Sequence, residues 1–369
     1  MAAAALLVLG ACTGNSAPIA GLSPIGSGTP QASASAVVST TPSVPASPSA
    51  SAGLAITPTA LGRTLHCRLP LLWAADNGGA GQTAHVGFAA FPGQTVNEDE
   101  SAPAGSLFYD RAYAKWLPVW RDAVSPDGRR YALSKLFGNA YANSGSAVHV
   151  VDVATGADQV IYTGSLAFAV LDFEAGGVYL TSAVPEGYPR GLWFLAAAGG
   201  SQPRLISNSI VSPAVGGGAA WGIDFNSADP SPAPGGLEGP MNRLLRYDLA
   251  TGAAEPWFYQ PGASLYPVGF DANGHPFVRS SVPVPGSAGP VESTEIWLVL
   301  AAGKATRLSG DQSPSAPGNL GAVDSHGAWF SSGYGSNGAS TLWLYAAGSM
   351  QAVAAVNLAQ ISIAGGCFP

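Results

Sequence analysis

Ala123-Val124-Ser125-Pro126-Asp127-Gly128, then Arg130-Tyr131-Ala132-Leu133, Val148-His149-Val150-Val151-Asp152-Val153, Ala154-Thr155-Gly156 and Gln159-Val160-Ile161-Tyr162 form the stretch that decides the fold. It reads as strand, tight turn, strand, variable loop, strand, tight turn, strand. Both turns carry hairpin chemistry, a proline or small residue to begin and a glycine where the backbone needs a positive φ. The apolar runs between them are short and rich in β-branched and aromatic residues, as strands require.

The same unit recurs along the chain. The first turn returns at Glu174–Gly177, Val215–Gly218, Asp271–Gly274 and Asp324–Gly327, and the second near Gly199, at Ala250-Thr251-Gly252, near Gly303 and near Gly348. The third strand returns as Leu192–Leu195, Leu244–Asp248, Ile296–Val299 and Leu342–Tyr345. Successive first-turn glycines (128, 177, 218, 274 and 327) lie 49, 41, 56 and 53 residues apart, the length of a propeller blade. Five complete units are expected between about Trp120 and Val356. Strand-like segments at Leu65–Trp73, His85–Phe91, Leu107–Tyr113 and Gln360–Ile363 are left to build a closing sixth from both termini, which removes exposed sheet edges. The expected fold is therefore an all-β propeller, six four-stranded blades closed by strands from both ends, with seven blades as the alternative.

The Ser125–Gly128 turn and the paired Asp-x-Ala-Thr-Gly turns at Asp152 and Asp248 resemble the WD-like repeats of six-bladed bacterial propellers of the Tol-system type. The resemblance covers roughly residues 65–367 and implies a fold. It implies little about function, because the matching residues are turn-formers.

The composition supports this architecture and narrows the partners. With 48 glycines, 30 prolines and charged residues at 10%, the chain suits many short strands joined by turns. The formal charge of −7 and the absence of a basic stripe exclude nucleic acid as an expected partner. Residues 1–11 form an apolar run too short to span a bilayer and suited to a signal peptide. The run lacks the Lys or Arg that usually precedes it. Leu9-Gly10-Ala11-Cys12 resembles the bacterial lipobox, which implies acylation at Cys12 and a membrane contact through the lipid. No charged residue occurs from Thr13 to Gly62, and this Ser/Ala/Pro/Thr-rich stretch has too little bulky apolar surface to offset the entropy of ordering it. Three segments are thus expected: a signal peptide (1–11), a lipidated cysteine with a disordered tether (12–62) and the propeller (63–369). The expected location is the bacterial cell envelope, lipid-anchored on the outer side of the cytoplasmic membrane, or on a periplasmic face if the cell has two membranes.

With Cys12 lipidated, Cys67 and Cys367 remain, one at each end of the propeller. In an oxidising compartment such a pair reads as a disulfide, the alternative being two buried thiols. Elsewhere the sequence holds no metal-type spacing of its five histidines, no nucleophile elbow and no phosphate or dinucleotide loop, so no cofactor or metal is expected. Glu98-Asp99-Glu100 reads as a solvated loop, and His275 and His326 as residues beside turns. Tyr109, Tyr113, Trp116 and Trp120 read as core aromatics.

The long loops between second and third strands emerge together opposite the glycine turns, and they carry Tyr141, Glu186, Tyr188, Arg190 and Tyr334. Loops on a rigid scaffold are where binding residues concentrate, and Tyr and Arg are favoured there. The expectation is a monomeric, surface-anchored binding or scaffolding module that presents this face to a protein, peptide or glycan. The alternative is an extracytoplasmic hydrolase or lyase whose residues gather at the central channel.

Overall fold

The Ser125–Gly128 turn forms as its chemistry demands. Ser125 Oγ donates to Asp127 Oδ1 (2.7 Å) and accepts from Arg130 N (3.0 Å), and Gly128 takes φ +70°. Asp152 and Asp248 fold the second turn identically, each accepting from the backbone N–H and hydroxyl of the threonine three residues on.

These turns sit in a computed structural model that describes residues 54–74, 84–137, 145–183, 188–226, 228–229, 240–283, 292–311, 316–332, 339–358 and 360–369. The chain divides into two units, 2–52 and 53–369, and every described residue belongs to the second. Cys12 and most of the expected tether, with Tyr141, Glu186 and Tyr334, lie outside the described residues.

In chain order the strands are β1 (Leu54–Pro58), β2 (Arg68–Ala74), β3 (Ala84–Ala90), β4 (Thr95–Glu98) and a small hairpin of β5 (Phe108–Asp110) with β6 (Lys115–Leu117). A bridge between Val124 and Tyr131 then opens a set completed by β7 (Arg130–Phe137), β8 (Gly145–Asp152) and β9 (Asp158–Gly164). The next set holds β10 (Phe168–Glu174), β11 (Gly177–Ser182), β12 (Arg190–Ala196) and the first half of β13 (Arg204–Gly216). The second half of β13 leads another, with β14 (Ala219–Asp224), β15 (Arg243–Tyr247) and β16 (Ala254–Tyr259). Two regular sets follow: β17 (Ser264–Phe270), β18 (Pro276–Pro283), β19 (Glu292–Ala301) and β20 (Lys304–Asp311), then β21 (Pro317–Asp324), β22 (Gly327–Ser332), β23 (Ser340–Ala346) and β24 (Ser349–Val356).

The final strand, β25 (Ile361–Ile363), pairs antiparallel with β2, so the last and first parts of the chain share the set β25-β2-β3-β4. Antiparallel meanders in succession, with the chain ends joined in one set, are a β-propeller. Burial follows position within a set. The middle strand β8 is buried along nearly its whole length, whereas outermost β24 alternates before it meets the core.

Three details depart from the sequence expectations. The third front strand of the closing set is β4, while Leu107–Tyr113 turns into the β5–β6 hairpin. Asp110 closes that hairpin by accepting from Ala112 N at 2.8 Å. Second, β1 lies within the stretch expected as tether. It pairs on one side with β24 and on the other with β4, so it straps the outermost strands of two neighbouring sets, and the folded unit begins near residue 53. Its buried Ile56 and Pro58 alternate with outward Ala55 and Thr57. Third, Trp120 is 49% exposed rather than core, although Trp116 is buried among Phe88 and Tyr109.

Topology sorts the connections by end. The glycine turns lie at one end, the hairpin end. The loops between second and third strands, and the passages from set to set, lie at the other, the loop end.

Candidate functional site

At the loop end the segment Tyr188-Pro189-Arg190 is fixed from two sides. Ser182 Oγ accepts from Arg190 N (3.2 Å) and donates to Arg190 O (2.7 Å), and Thr181 Oγ1 donates to the same carbonyl. From the next set, Ser212 N donates to Pro189 O at 2.8 Å. Ser212 marks the break between the two halves of β13 and takes φ +47°, a left-handed conformation that costs a non-glycine residue roughly 1–2 kcal/mol. Beside Arg190 the register slips by a bulge, and Gly191 at φ +77° makes it, since a Cβ there would run into the Trp193 indole. Bulges re-aim side chains, and this one leaves Arg190 exposed.

The contacts of this turn reach across neighbouring sets. The Arg190 guanidinium stands 5.5 Å from the ring centroid of Phe225, at the end of β14. Tyr188 OH is 3.5 Å from Tyr266 OH, which rises from the inner strand β17. Tyr266 is the cross-strand partner of Arg279, whose guanidinium lies 5.1 Å from its ring centroid. Arg279 also donates to Asn319 Oδ1 (3.2 Å) on the inner strand β21. Tyr188, Phe225 and Tyr266 all pack half-buried on one core cluster. Other arginines near this end are neutralised, Arg243 by Asp224 and Arg307 by Glu295 (3.1 Å). No carboxylate among the described residues lies within ion-pair distance of Arg190. Of the expected face, the structure therefore brings together Tyr188 and Arg190. It adds Phe225, Tyr266, Arg279 and Asn319, which sit in or beside regular strands and carry no loop signal.

The neighbouring set contributes a different surface. Phe137 ends β7 and Leu166 follows β9, so antiparallel topology puts both at the loop end; they are 38% and 50% exposed. Below them the turn Arg121–Ala123 packs on β10. Asp172, on this inner strand, is driven up to about 7 by burial and then by the negative charges of Asp122 and Glu174. Burial also raises Asp122, which keeps solvent-exposed surface while protein crowds it, as in a narrow channel.

A proton held by the folded site but released by the unfolded chain lowers stability as pH rises. The loss begins near pH 4, where the unfolded carboxyl ionises, and is complete above about pH 7. Asp172→Asn is therefore expected to melt a few degrees above the parent at pH 8 and level with it at pH 4. Melting curves across that range check this, and equal curves at pH 8 contradict it.

The hairpin end holds structural groups. His275 faces Asp271 (3.0 Å) and His326 faces Asp324 (3.2 Å), each within its own turn. At the other end, where β4 finishes and β3 begins, Asp99 accepts from Ser101 and from Trp116 Nε1 (2.9 Å), and Glu98 pairs with His85, so the acidic run serves the fold. Among the described residues no three His, Cys, Asp or Glu side chains converge as metal ligands. None of the helices among those residues is long and apolar enough to cross a membrane. Cys67 and Cys367 are joined in a disulfide.

No protein-family model matches the chain, and no curated protein matches its sequence. Similar solved structures include TolB from Acinetobacter baumannii, at 12% identity and a TM-score of 0.45 over 81% of this chain and 67% of that one. The acylaminoacyl peptidase of Pyrococcus horikoshii has the same identity and score over 81% of this chain, which spans 46% of the peptidase. An oligogalacturonate lyase from Vibrio parahaemolyticus is 11% identical, with a TM-score of 0.45 over 82% of this chain and 90% of that one. At such scores the fold assignment rests on the strand pairing itself, and none of these proteins informs the site.

Proposed function

We propose that the chain is an extracytoplasmic, lipid-anchored propeller of six blades that binds a partner through its loop end. One observation carries the binding role. The Tyr188–Arg190 turn is held by hydrogen bonds from two strands and flanked by two left-handed residues, yet it leaves Arg190 exposed. Strained backbone held this firmly is a feature of binding and catalytic sites. The number six is supported by the strand sets among the described residues, with β25-β2-β3-β4 as the sixth. The Cys67–Cys367 disulfide supports an oxidising compartment, and the lipobox-like Cys12 supports anchoring there.

The test is capture from intact cells. The parent and a hairpin-end control, Arg129→Ala, are expected to recover the same partner, and Tyr188→Ala/Arg190→Ala to lose it. Equal recovery by all three contradicts the choice of face. In the same cells Cys12→Ser is expected to release the protein into the soluble fraction.

A second reading, a hydrolase or lyase acting at the inner edge, draws on Arg121, Asp122 and Asp172. A carboxyl poised near neutrality suits general acid–base work. Turnover lost in Asp172→Asn and kept in the loop-end double variant would select it.

A further inference from the structure

The loop end carries two kinds of surface on neighbouring blades. One is apolar, made of Phe137 and Leu166, with Leu136, next to Phe137 in the chain, 44% exposed. The other is the cation of Arg190, on the third strand of the next blade, with its backbone locked and without a carboxylate partner among the described residues. The two blades adjoin where β10 packs against β7. We propose that together they dock an acidic, apolar peptide segment of a protein partner, its Leu- or Trp-like side chains covering Leu166 and Phe137 and one carboxylate pairing with Arg190. The proposal rests on the loop end being the binding face.

Several features favour this occupant. An arginine already stacked on Phe225 presents its planar fork in a fixed direction, which suits a bidentate carboxylate. Exposed leucines gain by contact with apolar side chains, whereas a sugar ring stacks on aromatic faces and gains little from an aliphatic one; this separates a peptide from a glycan. Arg190 lies on the third strand of its set, so the ligand carboxylate belongs over the outer part of that blade.

The experiment uses the folded chain and an immobilised array of short peptides combining Glu with Leu and Trp, beside a matched set with Gln for Glu and a panel of uronate-bearing glycans. Variants Arg190→Gln, Arg190→Lys and Leu166→Glu are read with Arg129→Gln as the hairpin-end control, each checked by melting temperature. The parent is expected to bind the Glu peptides in preference to the Gln set. Arg190→Gln loses about tenfold or more and no longer distinguishes the two sets; Arg190→Lys keeps part of the preference, because it keeps the charge and loses the fork. Leu166→Glu abolishes binding to both sets. Equal binding of Glu and Gln peptides by the parent, or binding to glycans alone, overturns the proposal. If Leu166→Glu matters and Arg190→Gln does not, the carboxylate site fails and the loop-end face stands. If neither variant changes binding, or if the parent binds no peptide and Tyr188→Ala/Arg190→Ala still captures the cellular partner, the face fails as well.

Discussion

Replacing Cys67 and Cys367 by serine is expected to lower the melting temperature by about 10 °C while leaving the folded strand pattern intact. The bond closes a loop of 300 residues in sequence, for which the loop-entropy relation gives about 5–6 kcal/mol as an upper figure. In a chain of this size each kcal/mol shifts the midpoint by roughly 2 °C. The fold survives because the bond is not the only link between the chain ends. Arg68 N donates to Phe368 O at 2.6 Å, Phe368 N returns a bond to Arg68 O at 3.1 Å, and Leu71, Leu72 and Trp73 pair with β25. Thermal melts of parent and double variant, with circular dichroism for the strand content, decide the matter. Unchanged melting would show that the ring closes without help from the disulfide.

Asp324→Ala is expected to cost about 3–4 kcal/mol, because one carboxylate serves three separate parts of the closure. Its Oδ2 accepts from Cys367 N (2.6 Å) and from Trp329 Nε1 (2.8 Å), and its Oδ1 from His326 N (2.7 Å). Trp329 is fully buried in the cluster where β22 and β23 meet β2 and β25, so its indole N–H has no water to turn to. An unmet buried donor costs roughly 1–3 kcal/mol, and two are left. Asp324→Asn should be nearly as harmful, since its NH2 group would face donors. Asp324 and the disulfide secure the same C-terminal segment, so combining the two changes should cost less than their sum. Denaturant unfolding of the single and combined variants measures this, and strict additivity would mean that the two act on different parts of the fold.

The closure also shows how far the sequence could be read. The turns at Ser125–Gly128, Asp152 and Asp248 announce themselves because their chemistry is local: hydroxyl, carboxylate and glycine within five residues. The third closing strand was hidden because Thr95-Val96-Asn97-Glu98 has a single apolar residue facing in, and an outermost strand needs no more. β1 was hidden because Leu54-Ala55-Ile56-Thr57-Pro58 continues the charge-free composition before it, although its alternation was visible.

The site divides along the same line. Tyr188 and Arg190 stood out as loop residues on an expected face. Tyr266, Arg279 and Asp172 sit inside strands, where a polar or aromatic residue looks like ordinary alternation. Only the pairing of β17 with β18, and the crowding of β10 by the Arg121–Ala123 turn, gives them a role. The sequence signal that was available was positional, since inner-strand residues of a closed propeller face the channel.

The central claim, that the loop end is the face that meets a partner, is most directly tested by photo-crosslinking in intact cells. A photoreactive residue is placed at position 166 or 188 at the loop end, and at 129 or 273 at the hairpin end. A discrete crosslinked product from 166 and 188, with none from 129 and 273, is the predicted result; a product from the hairpin end alone would contradict it.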